Sequence, residues 1–135
     1  MQQKTRADIP AKWRWNLNHI YPNKQALVQA EQQITALMAD LAAMQGKAAR
    51  DPVKAVAASF DLGRLMGSYL TFSRMQLDQD GANNAYKAQM AKAEALLTKV
   101  RAAGAYLEPE LLELPEEKLK KLQEDPAHPQ YAVYF

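Results

Sequence analysis

The apolar residues of this chain recur every three or four positions in three successive runs. That spacing fits an α-helix and excludes a strand, whose faces alternate every second residue. In the first run Leu27, Ala30, Ile34, Leu37, Leu41 and Met44 form one seam, with Asn23 placed to cap its start after Pro22 and Gly46 to end it. Asp51-Pro52 then reads as an N-cap followed by a first-turn proline, opening a second helix that extends to about Leu77. This helix carries two seams. Val53, Val56, Phe60, Gly63, Gly67 and Leu70 lie on one side, and Leu62, Leu65, Met66, Tyr69 and Phe72 on the other, so it is predicted to be central. A break at Asp78-Gln79-Asp80-Gly81 leads to a third run, Tyr86, Met90, Ala93, Leu97 and Val100, ending at Gly104.

Short connections between three long helices favour antiparallel neighbours, hence an up-down-up bundle. Composition agrees, because the 135 residues include twenty-four alanines, the best helix former and the smallest apolar side chain. Gly63 and Gly67, one turn apart, are expected to admit close packing within the protein. A membrane-dimer role is excluded by Asp61, Arg64 and Arg74. Beyond Gly104, the Glu108-Pro109 and Leu114-Pro115 pairs predict short helices over 109–113 and 115–123, the second with a solvated lysine face. The expected fold is therefore all-α, an antiparallel bundle of three long helices plus short C-terminal helices.

Residues 1–23 lack helical periodicity and hold Trp13, Trp15, Tyr21 and several cations, which predicts an extended aromatic and basic arm packed on the bundle of residues 24–135. In an extended Trp13-Arg14-Trp15 both indoles share one face and are expected to anchor against the helices. Stacking of single-stranded nucleic acid is the lesser reading of that arm, since no basic stripe continues along the chain, whose net charge is only +2. The segment Met1 to Pro10 has no apolar core of a signal peptide, and no run is long enough for a membrane helix, so a cytoplasmic location is expected. The apolar close on Tyr131, Val133, Tyr134 and Phe135 reads as a sequence interrupted before its next element, or as a tail docked on the bundle.

Chemistry-bearing residues are sparse. With no Cys there is no disulfide, thiolate metal site or cysteine nucleophile. His19 and His128 stand alone, and neither begins an H-E-x-x-H pair of zinc ligands on one helical face. Asp78-x-Asp80-Gly81 opens like a calcium loop, but Ala82, Asn83 and Gln89 fail the later positions, leaving a turn with Asp80 as a helix cap. No catalytic, cofactor-binding or metal-binding residue is predicted in this chain.

Several short motifs, in order, carry a family likeness: Arg6-Ala7-Asp8-Ile9-Pro10, Trp15-Asn16-Leu17-Asn18-His19-Ile20-Tyr21-Pro22, Ser68-Tyr69, Asp78-Gln79-Asp80 before Asn83, and Tyr106-Leu107-Glu108-Pro109-Glu110-Leu111. Together they resemble the N-terminal region of oligoendopeptidase F, in the thimet-oligopeptidase-like zinc metallopeptidase superfamily. Asn16 stands where that family commonly has Asp. The resemblance implies a helical N-terminal domain whose catalytic domain, with its zinc, H-E-x-x-H and further Glu ligand, lies elsewhere. It also implies a wall or lid over an oligopeptide chamber, with the face around Tyr69, Arg74, Asp78 and Asp80 bordering that chamber or the catalytic domain. The expected partners are then that catalytic domain or another copy of the chain, and oligopeptides in the full-length enzyme, with no nucleic acid or membrane. The competing expectation is a free-standing helical interaction or oligomerisation module without peptidase activity.

Overall fold

The computed structural model describes residues 4–135; Met1–Gln3, where the polar N-terminal stretch begins, lie outside the described residues. The three long helices form as their seams dictate: α1 over Lys24–Ala43, α2 over Pro52–Gln79 and α3 over Asn84–Gly104. Each starts on a side-chain cap that satisfies an orphan N–H of the first turn. Asn23 accepts from the Ala26 amide at 2.8 Å, Asp51 from Lys54 at 3.2 Å, and Asn83 from Tyr86 at 3.2 Å. The third cap corrects the sequence expectation: Asn83 caps α3, while Asp80 closes α2, its amide bonded to the Leu77 carbonyl.

Contacts fix the topology. Glu31 near the start of α1 meets Tyr69 in the second half of α2, and Leu41 near the end of α1 lies beside Gly104 at the end of α3. Thus α1 and α3 run the same way and α2 runs against both. Ile34, Leu41, Leu62, Met66, Tyr69 and Ala93 form the main core. Burial of each large aliphatic side chain there contributes about 1.5–3 kcal/mol.

A second core joins the start of α2 to the C-terminal segments, α4 over Leu107–Leu112 and α5 over Glu116–Gln123. Ala48, Ala55, Val56, Leu107, Leu111 and Leu114 pack there. Helix α4 begins two residues before Pro109, whose missing N–H falls harmlessly in the first turn. From α4 the Glu110 carboxylate accepts from the Gly46 and Ala48 amides, so one side chain ties the α1–α2 connection to a segment more than sixty residues away. Gly46 takes φ +79°, a left-handed stop that suits glycine. Tyr106 donates to the Leu41 carbonyl and links the two cores.

Two further expectations are corrected. The arm is not extended: it winds into three short 3-10 turns, Arg6–Asp8, Ala11–Trp13 and Leu17–His19. Local capping competes with extension. The Asp8 carboxylate accepts from both the amide and hydroxyl of Thr5 at 2.8 Å, and Asn16 accepts from the Asn18 amide. Consequently Trp13 remains 73% exposed and Trp15 50% exposed, and the aromatic that touches the bundle is Tyr21, edge-on to Phe72 at 5.1 Å. Likewise, Gly63 and Gly67 are not closely packed. A Cβ built on either meets nothing within 4 Å, because the seam they belong to is buried at Val56 and then runs onto the surface.

The chain closes against Phe60, whose ring lies 5.4 Å from Tyr131 and 5.7 Å from Tyr134. Phe60 remains 49% exposed and Val133 fully exposed, so the tail covers its own aromatic cluster incompletely.

Candidate functional site

Tyr69, Arg74, Asp78 and Asp80 do not share one face. Tyr69 is wholly buried between the helices, whereas Arg74, Asp78 and Asp80 are exposed. The chain spacing explains the split. Tyr69 lies in the seam with Leu62, Met66 and Phe72, and a helix rotates roughly 100° per residue, so a position five residues on points away.

Around Tyr69 the helices share a polar network. Its hydroxyl donates to Glu31 Oε1 at 2.7 Å, and Lys92 Nζ donates to Glu31 Oε2 at 2.9 Å, so α1, α2 and α3 meet on one carboxylate. Below it, the buried Ser73 hydroxyl donates to the Tyr69 carbonyl at 2.8 Å, and Gln89 Nε2 donates to Ser73 Oγ at 3.1 Å. Burial pushes the Glu31 carboxyl up, but the bonds from Lys92 and Tyr69 and the charge of Lys92 outweigh it and hold the group below its ordinary value. Burial, then the bond to Glu31, raises the Tyr69 phenol well above its ordinary value. This keeps the phenol protonated and donating, which suits a clamp between helices and not a proton-transfer group near neutral pH. The sequence signal for this network was Ser73: it continues the Met66, Tyr69 spacing, placing a hydroxyl where an apolar side chain was due.

The second concentration of polar side chains lies where the arm crosses the end of α2. Asp78 and Gln79 line a cleft of 210 Å³ with Lys4, Arg6, Trp13 and Arg14. Next to it, Arg6, Trp15 and Gln79 also border a cleft of 390 Å³ with Asn18, Lys24 and Gln76. The guanidinium groups are anchored by the arm's backbone: Arg6 Nη2 donates to the Trp15 carbonyl at 3.3 Å and Arg14 Nε to the Ile9 carbonyl at 2.6 Å. Gln79 Nε2 is buried without a hydrogen-bond acceptor. A third opening, 380 Å³, runs between α2 and α3 along Gly63, Gly67, Leu70, Leu97 and Val100 and is mostly apolar.

Among the described residues no three His, Cys, Asp or Glu side chains gather as a metal-binding group, and Asp78 and Asp80 find no third partner. No helix among them is long and apolar enough to cross a membrane.

No family profile matches the chain, and no solved structure does. Among curated proteins it is similar to oligopeptidase PepF of Bacillus subtilis (strain 168), with 30% identity over 123 residues that cover 89% of this chain. The chain spans only 18% of that relative's length. It is therefore a distant relative of part of a much larger oligopeptidase, in agreement with the resemblance carried by its motifs.

Proposed function

We propose that this chain is the non-catalytic N-terminal helical domain of an oligoendopeptidase-F-like zinc metallopeptidase and forms a wall or lid of its oligopeptide chamber. The observation that carries the reading is the likeness to oligopeptidase PepF across nearly the whole chain but a small fraction of the relative. Zinc-assisted hydrolysis needs the ion, its ligands and a base in one place, and these belong to a catalytic domain outside this chain. The contribution of the helices is shape and recognition, with exposed Arg74, Asp78 and Asp80 as the chamber or interdomain residues and Tyr69 as the clamp that holds α2 in position behind them.

Reading the gene downstream of Phe135 tests this directly. The expected result is an H-E-x-x-H in frame, and peptide hydrolysis by the polypeptide that contains both parts. A stop codon at that point, or peptide cleavage by the pure 135-residue chain, overturns it. The wall or lid role has its own test: in the longer polypeptide, Arg74→Ala is expected to change the preference for peptide length, and an unchanged preference and turnover removes that role.

A second reading, a free-standing interaction module, is favoured by the open glycine groove between α2 and α3. Light scattering across a concentration series separates the two, because an evolved module gives one defined oligomer and an amputated domain gives indefinite self-association.

A further inference from the structure

The clefts between the arm and α2 have a charge and donor pattern that the wall role alone does not use. Lys4, Arg6, Arg14 and Lys24 line them, against the single carboxylate of Asp78. None of these four cations is in an ion pair, since among the described residues the only one joins Lys92 to Glu31. Both guanidinium groups are already held by backbone carbonyls, through Arg6 Nη2 and Arg14 Nε, which leaves their other N–H groups free in fixed directions. Gln79, at the boundary of both clefts, has a buried amide nitrogen with no acceptor. The half-exposed indole of Trp15 separates the two clefts and offers an apolar wall.

We propose that these paired clefts bind a carboxylate of an oligopeptide, with Arg6, Arg14 and Lys4 on the anion. The neighbouring amide side chains Asn18 and Gln76 match a peptide backbone, since each offers both a donor and an acceptor. Asp78 disfavours a densely charged phosphate chain at the same place, and 210 Å³ accommodates a carboxylate with a short side chain, not a stack of bases. The inference deepens the chamber reading and rests on it for the supply of peptides. The carboxylate has two sources, a chain terminus or an acidic side chain, and the chemistry is shared.

The two tryptophans of the chain, Trp13 and Trp15, both line the smaller cleft, so indole emission reports occupancy directly. The 135-residue chain is titrated with the pentapeptide Ala-Ala-Glu-Ala-Ala, its Gln counterpart, C-terminally amidated forms of both, inorganic phosphate and a thymidine oligonucleotide. Saturable change in emission with the Glu peptide is expected, with affinity about tenfold lower once the responsible carboxylate is neutralised. Loss on Glu-to-Gln exchange assigns the side chain; loss on amidation assigns the terminus. Lys4→Gln and Arg14→Gln are each expected to weaken binding several-fold while helical circular dichroism stays unchanged, and Lys99→Gln on the exposed side of α3 is expected to have no effect. Equal binding of the amidated Gln peptide, tighter binding of phosphate or the oligonucleotide, or no saturable change with any peptide overturns the proposal. Because binding is read on this chain alone, a failed titration leaves the peptidase reading standing, whereas a stop codon after Phe135 removes that reading and leaves the measured binding intact.

Discussion

Replacing Gly63 and Gly67 with alanine is expected to stabilise the chain, although a pair of small residues one turn apart usually marks close packing. Both sit well inside the 28-residue helix α2, and neither has a positive φ. A methyl group built on either meets nothing within 4 Å, so no steric penalty offsets the gain in helix propensity. That gain is about 1 kcal/mol for each Gly-to-Ala exchange in a helix interior. Neither added methyl group meets a neighbour, so the two propensity gains sum to about 2 kcal/mol. With an unfolding entropy of about 2.1 cal/mol/K per residue, a chain of this length gains about 7 °C in Tm. Thermal unfolding followed by circular dichroism at several protein concentrations measures it. A lower Tm in either single variant refutes the open-groove reasoning, and a loss that grows with concentration identifies the groove as a contact between copies of the chain. If the chain continues into a further domain, as proposed, the same pair of substitutions becomes informative in the opposite sense, since any element seated in the groove meets the added methyl groups.

Gly46→Ala is expected to cost about 1–2 kcal/mol, because φ +79° forces the new side chain into the left-handed region; equilibrium denaturation with urea measures it. Tyr69→Phe removes a buried hydrogen bond to a carboxylate and is expected to cost about 1.5–3 kcal/mol, whereas Lys92→Met, at the exposed end of the same network, costs under about 1 kcal/mol by the same denaturation assay. Glu31 has its folded-state pKa below the ordinary 4.5, so its contribution is present above that value and is lost as pH falls through the folded pKa. Stability measured from pH 6 down to pH 3 is therefore expected to fall less steeply in Glu31→Gln than in the parent chain, and parallel curves refute the assignment.

The helices were legible because their information is local. Seam spacing, Asn23, Asp51-Pro52 and Gly46 each act within a turn or two, and the structure places helix ends where those residues point. Errors arose where two local signals compete or where the partner is distant. Trp13-Arg14-Trp15 fits extension, but Thr5–Asp8 and Asn16–Asn18 bonds favour tight turns, and no residue count in the sequence ranks the two. The glycine pair states that close approach is permitted on one side of α2, and only the fold decides whether an element arrives there. The polar network was half visible, as Tyr69 and Ser73 share a seam, while Glu31 and Lys92 come from separate helices and carry no mutual spacing signal.

The long central helix has two ends with different demands. Its first half is held to α4 by Val56, Leu107 and Leu111, and its second half to α1 and α3 by Met66 and Tyr69. Between these attachments the apolar groove along Gly63 and Gly67 is open, while the polar clefts under the arm open at the far end beside Gln79. An apolar groove suits permanent contact, because covering it releases water without a penalty for buried charge. Clefts lined by unpaired cations suit exchangeable ligands, since each cation keeps its hydration until a carboxylate replaces it. On the proposed reading the same helix carries a docking side and a recognition side, and the bonds of Tyr69 and Lys92 to Glu31 tie it to α1 and α3 between them. If that tie matters to recognition, Tyr69→Phe should weaken peptide binding at Arg14 although Tyr69 lies outside both clefts. Unchanged peptide affinity in a folded Tyr69→Phe chain would separate the clamp from the clefts.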